Sequence, residues 1–238
     1  MVPKKILVSF KGVNRLYPYY DDQHDLSPGD VVYVEGKRWQ TPGQVQETME
    51  ADQSDRTLYN HILEKVVVDI HGTYYSYGPY MFCFDREAVS FQQFKSWVSP
   101  PERALREVKG DGFTLFLDEL GYCEFASEEA LERGMRYFQD ERVEFLSLIE
   151  GKGTALVKDE RWHTVTFTYD EGKMQGVVCQ SEVDRFCEHA VVTCLTLRTL
   201  LQVVQNEFPN QYSGVRFTAV NRELFYQIAA YSLKKITL

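Results

Sequence analysis

The stretch VVCQSEVDRFCEHAVVTCLTL, residues 177–197, decides how the chain is read. It opens as the end of a β-strand and passes through a polar loop into a long run of apolar residues. Cys187, Ala190, Val191, Cys194, Leu197, Leu201, Val204 and Phe208 recur at helical spacing and predict one amphipathic helix over residues 185–207. Pro209-Asn210 stops it. Cys179 stands at the strand end, and Cys187 and His189 open the helix. Thiolates and a neutral imidazole gathered at such a joint are the donor types of a tetrahedral metal site. Residues two apart in a regular helix do not share a face, so Cys187 and His189 can converge on one ion only in a frayed first turn.

Working outward, residues 143–179 predict a three- or four-stranded antiparallel meander. VEFLSLIEG, TALVKD, WHTVTFTYD and MQGVVC are separated by Gly151-Lys152-Gly153, Glu160-Arg161 and Asp170-Glu171-Gly172. Thr164, Thr166 and Thr168 alternate with Val165, Phe167 and Tyr169, as a strand with one buried face requires. Before the meander, residues 127–139 predict a helix. Ser127 can cap its open amides, Glu128 and Glu129 suit its positive end, and Ala130, Leu131, Gly134, Tyr137 and Phe138 share one face. A closing helix is predicted over residues 221–235, with Leu224, Phe225 and Ile228 inward.

The first segment, residues 1–72, predicts a small β domain, with strands at 5–10, 26–36, 44–49 and 62–70 and turns at Pro28-Gly29 and Pro42-Gly43. Short strands at this spacing, with Pro-Gly-Asp leading into Val-Val-Tyr-Val, resemble an SH3-like barrel. Residues 73–126 form an aromatic and helical connector. In HGTYYSYGPYMFCFDR, residues 71–86, the aromatics pair across strands and bury large areas, with a stacking surface for bases as the alternative. Residues 85–97 predict a short helix that ends at Ser99-Pro100-Pro101, the natural linker. Residues 127–238 carry the C-terminal unit, and the expected class is α+β.

The 238 residues, 44% hydrophobic and 26% charged, describe a globular chain. No window approaches the ~18 consecutive apolar residues of a membrane span. The apolar run before Lys11 is shorter than the ~7–15 residues of a secretory core, so a cytoplasmic protein is expected. Its five cysteines, at 83, 123, 179, 187 and 194, form no regular disulfide framework and suit buried thiols or metal ligands. A net charge of −9 argues against a protein that coats nucleic acid. Only the last segment, residues 179–238 with six basic and five acidic side chains, is not acidic, which permits a local nucleic-acid contact.

Together these residues resemble a SWIM-type zinc finger. That family places a helix with an Arg-Gly and an aromatic pair before a strand meander, a C-x-C, and a C-x-H that opens an apolar helix. Arg133-Gly134 and Tyr137-Phe138 match the first element, Cys187-Glu188-His189 the C-x-H, and residues 190–201 the helix. The match spans about residues 127–203, and the flanking SWVSPPE and FTAVNRELFYQIAAYSLKKI look like those of bacterial proteins carrying this finger. The resemblance implies a zinc-organised, non-catalytic binding protein.

The departure lies in the C-x-C, which here reads Cys179-Gln180-Ser181. A serine hydroxyl is a neutral, hard oxygen of high pKa and a poor zinc ligand. Cys179, Cys187 and His189 remain as metal donors, with Glu182, Asp184, another cysteine or water as the fourth. Cys194 lies two turns down the apolar stripe, and His163 has no supporting spacing. Three outcomes stay open: zinc retained with a substituted ligand, zinc lost with the cysteines buried as small hydrophobes, or an open Cys-Cys-His site with reactive zinc-bound water.

No phosphate-binding, dinucleotide-binding or metalloprotease motif is present. Gly151-Lys152-Gly153 reads as a hairpin turn, and His24, His61 and His71 read as ordinary surface or loop residues. A protein partner is favoured because the chain is acidic, and no membrane association is expected. The alternatives are a nucleic-acid contact through the finger, with Arg185 and Arg198 on the polar side of the long helix, and an enzyme with an interdomain site.

Overall fold

The computed structural model describes residues 2–52, 54–85, 89–99, 113–117, 125–180, 186–212 and 216–233. Within them the chain is α+β, with two antiparallel sheets belonging to two compact units. The linker expected at Pro100-Pro101 lies outside the described residues.

The first unit is built on β1 (Lys4–Ser9), β2 (Tyr17–Asp21), β3 (Val31–Val34), β4 (Gly43–Glu50) and β5 (Ile62–Val66), ordered β2-β1-β4-β3-β5. Alternation along β1 turns Ile6 and Val8 inward, where they meet Val32, Val34, Val45 and Ile62. At the turn before β3, Asp30 N–H donates to Ser27 O at 3.1 Å and Gly29 takes φ 93°, a left-handed value that suits glycine. The Asp30 carboxylate, 3% exposed, accepts from Ser27 N–H at 2.9 Å and pairs with Lys65 at 2.8 Å. A short helix α1 (Asp55–Leu58) precedes β5, and α2 (Phe91–Val98) reaches the unit through Trp97, whose indole N–H donates to Val67 O at 2.7 Å.

The sheet is not closed, which corrects the SH3-like barrel expected from strand spacing. Its outer strands, β2 and β5, meet in a single bridge, Tyr20 with His61, rather than in a ladder. Pro18, in β2, has no N–H for a second neighbour, and a proline is tolerated on an edge strand for that reason. Tyr33 is fully buried in this unit with no hydrogen-bond partner for its hydroxyl among the described residues, and burial pushes its phenol pKa well up. A buried hydroxyl without a partner costs about 1–3 kcal/mol. Tyr33→Phe is therefore expected to raise stability by about 1 kcal/mol in urea unfolding; a loss of that size would show that the hydroxyl is satisfied.

The second unit carries an eight-stranded sheet ordered β6-β7-β13-β9-β10-β11-β12-β8. Its strands are β6 (Tyr74–Tyr77), β7 (Tyr80–Cys83), β8 (Phe113–Phe116), β9 (Val143–Ile149), β10 (Lys152–Lys158), β11 (Trp162–Asp170), β12 (Lys173–Cys179) and β13 (Arg216–Asn221). The expected meander is β9 to β12. Two-residue turns link its first and last hairpins, Glu150-Gly151 and Glu171-Gly172, each with both residues at positive φ. The turn thus sits one residue earlier than Gly151-Lys152-Gly153 suggests. Gly153 is in β10 opposite Phe167, whose ring covers it. β13 was not expected from sequence; it inserts between β7 and β9.

Helices α3 (Glu128–Gln139) and α4 (Glu188–Glu207) belong to this sheet, and α5 (Arg222–Leu233) follows β13 directly. Ser127 caps α3 by accepting from Ala130 N–H at 3.2 Å. Ala190, Val191, Cys194, Leu197, Leu201 and Val204 of α4 are buried in one core with Leu146, Val157, Val165, Phe167 and Met174 of the meander. The aromatic stretch serves packing: the rings of Tyr75, Phe82 and Phe84 surround Phe208 with centroids 5.4–5.6 Å away.

Glu144 lies where the β9–β10 register shifts. Its Oε2 is buried without a hydrogen-bond partner among the described residues. Burial raises its carboxyl pKa to about 7 against the pull of Lys158 and Arg142, and Glu223 and Glu141 add to the rise. The folded chain therefore keeps this proton to higher pH than the unfolded chain, for which the ordinary value is 4.5. The stabilising contribution is full below pH 4.5 and is lost as pH rises through about 7. With partial exposure discounted, about 1–2 kcal/mol should disappear between pH 5 and pH 8. Glu144→Gln should flatten that slope and be the more stable protein at pH 8; parallel pH profiles would exclude the effect.

Candidate metal centre

The register of β11 and β12 sets the first half of the site. Cys179 pairs with Val165, and Gln180 N–H donates to Thr164 O at 3.0 Å. Directly paired residues share a face, as do residues two apart in one strand. His163, Val165 and Cys179 therefore project together, and Val165 is buried in the core with α4.

The second half is the start of α4. Cys187 is its N-cap, with extended φ −87° and ψ 172°, and its carbonyl accepts from Val191 N–H at 3.0 Å. The non-helical N-cap frees the Cys187 side chain from the i, i+2 divergence of a regular helix. Cys187 Sγ lies 3.7 Å from His189 Nδ1, and both residues are 4% exposed. The His163 and His189 rings stack with centroids 3.8 Å apart and an 18° tilt.

Two overlapping sets of donors result. One atom each from His163, Cys179 and His189 lies within 4.8 Å of the others, and the same holds for Cys187, Glu188 and His189. His189 is common to both. The Glu188 carboxylate is engaged by Arg133 at 2.9 Å.

Behind His189 stands Asp159, whose Oδ2 is 3.7 Å from Nε2, beyond hydrogen-bond reach. Buried His189 Nε2 has no hydrogen-bond partner among the described residues. Asp159 stays ionised below the usual carboxylate range. Burial opposes its charge, but hydrogen bonds from Tyr137 and the Glu160 N–H and the fields of His189 and His163 outweigh that. Arg133 in turn donates to the Tyr137 hydroxyl at 3.4 Å. Burial, then the neighbouring His189, holds the His163 pKa below its ordinary value, which favours the neutral imidazole that metals bind.

Of the donors expected from sequence, Cys179 and Cys187 each approach His189, in separate sets, and His163 joins the set of Cys179. Alternation in β11 puts His163 on the face of Val165 and Phe167, but that pattern names no partner, and only the register with β12 sets it beside Cys179. Asp159, in the turn before β11, carried no such signal. Cys194 is buried in the apolar core, with burial pushing its thiol pKa far up, and it takes no part. Arg198 is half-buried on α4, nine residues beyond His189, about 13 Å along the axis. Ser181, Glu182, Asp184, Arg185 and Cys123 lie outside the described residues.

Thiols and imidazoles are borderline-soft donors, and each of the two sets could hold a metal ion. An almost fully buried imidazole with a thiol 3.7 Å from one nitrogen and a carboxylate 3.7 Å from the other also fits a ring placed to bind an ion. No helix among the described residues is long and apolar enough to cross a membrane. Comparison with protein-family models, with curated proteins and with solved structures finds no significant match for this chain.

Proposed function

We propose that the chain is a non-catalytic interaction protein whose second unit is a SWIM-like zinc finger, held by Cys179, Cys187 and His189. The observation that supports this reading is the approach of strand-end and N-cap donors to one buried imidazole, His189. The bound ion would tie the end of β12 to the start of α4 and supply folding energy there. Arg133-Gly134 and Tyr137-Phe138, the other part of the resemblance, acquire physical roles in this arrangement. Arg133 holds Glu188, Tyr137 holds Asp159 behind His189, and Gly134 lets α3 approach Val191.

The binding reading is preferred to catalysis because Glu188, the acid within the donor sets, is engaged by Arg133, and the lowered pKa of Asp159 makes it a weak base. A protein partner is preferred to nucleic acid because the net charge is −9. The test is elemental analysis of protein purified without chelators, beside Cys187→Ser. One zinc per chain, absent from the variant, is the expected result; no zinc in the wild type removes the reading. A duplex-DNA titration at two salt concentrations separates the partner classes. Affinity that falls steeply with salt would transfer the function to nucleic acid.

A further inference from the structure

We propose that His163 occupies the ligand position left without a thiolate by Ser181, so that the ion is held by Cys179, Cys187, His163 and His189. The inference rests on the zinc reading above and names its fourth donor. His163 reaches the site through strand register rather than through sequence spacing. It stands two residues before Val165, the partner of Cys179, and so shares the face on which Cys179 lies. Its donor atom falls within 4.8 Å of those of Cys179 and His189, and its ring rests on that of His189.

The competing donors are placed worse. The Glu188 carboxylate is committed to Arg133 at 2.9 Å, and Cys194 is buried in the apolar core with its thiol protonated. The Asp159 carboxylate lies 3.7 Å from His189 Nε2. A carboxylate behind one nitrogen of a ligating histidine orients the ring and leaves the other nitrogen for the metal. Here the nitrogen left is Nδ1, which already lies 3.7 Å from Cys187 Sγ. Face-to-face rings cannot both aim a nitrogen at one ion, so ligation requires the His163–His189 stack to open. His163 is the ring with room to turn, being half-buried where His189 is almost fully enclosed.

Four protein donors close the site and leave no position for a reactive water, as in structural zinc centres. The ion would then join β11, β12 and α4, instead of bridging a C-x-C to a helix.

Cobalt(II) substitution of the full chain tests the ligand count, because sulfur-to-cobalt charge-transfer absorption grows with each thiolate and the visible bands report tetrahedral geometry. The wild type should show a tetrahedral, two-thiolate spectrum. His163→Ala should weaken metal binding by more than the about 10–100-fold that an outer-shell partner costs. His163→Cys should retain the metal and add a third thiolate to the spectrum, a gain that a merely structural histidine would not produce. A three-thiolate wild-type spectrum overturns the proposal, as does His163→Ala with wild-type affinity and spectrum while Cys187→Ser loses the metal. In both cases the zinc reading stands. A wild type that binds neither zinc nor cobalt removes the zinc reading itself.

Discussion

Chelating the metal should lower the melting temperature of the wild-type chain by about 10 °C, and Cys187→Ser should abolish that response. A ligand present at about 1,000 times its Kd stabilises the folded state by about 4 kcal/mol. For 150–250 residues each kcal/mol moves the melting point by about 2–4 °C. The substitution discriminates because of where Cys187 sits. It is the N-cap of α4 and makes no side-chain capping bond. Serine is among the best N-cap residues, and capping is worth about 1 kcal/mol. Without a metal, Cys187→Ser should be neutral or mildly stabilising. A variant less stable than wild type in zinc, and at least as stable in chelator, follows only if the thiolate holds an ion. Chelator-insensitive unfolding of the wild type would refute the prediction.

Gly134→Ala should destabilise the second unit by about 1–3 kcal/mol, although alanine is better than glycine in a helix by about 1 kcal/mol. The reason is the crossing of α3 and α4. A Cβ on Gly134 would lie 2.5 Å from Val191 Cγ1, 2.6 Å from Val191 Cβ and 3.1 Å from the Glu188 carbonyl oxygen. Val191 is fully buried and cannot swing away, so the helices must separate. The displaced turn carries His189 and the Arg133–Glu188 pair, so metal affinity should fall as well. Urea unfolding of Gly134→Ala, Val191→Ala and the double variant measures this. The double variant should lose less than the sum of the single changes, because Val191→Ala removes Cγ1, the nearest of the three contacts, while its Cβ stays. Strict additivity, or a more stable Gly134→Ala, would show that the helices are not in close contact there.

Much of the second unit is legible locally. The strands of the meander, the Ser127 cap and the apolar stripe of α4 each depend on neighbours a few positions away and appear where periodicity places them, with the first hairpin turn one residue early. The first unit is less legible. Its strands follow from alternation and from Pro28-Gly29, but closure of the sheet depends on whether β2 and β5 pair, and short-range pattern contains no such information. β13 escaped notice for the same reason. RFTAVN becomes a strand by inserting between β7 and β9, partners far apart in the chain.

The site divides along the same line. From the sequence alone come the donor types, their place at a strand–helix joint, and the loss of one thiolate at Ser181, because residue identity and periodicity carry all three. His163 and Asp159 could be assigned only from the tertiary structure. Antiparallel register sets Cys179 beside Val165 and so brings His163 onto its face. The packing of α3 and α4 then aligns Tyr137 and Asp159 behind His189. Register and helix packing are long-range consequences of burying one common core, and no spacing along the chain encodes them.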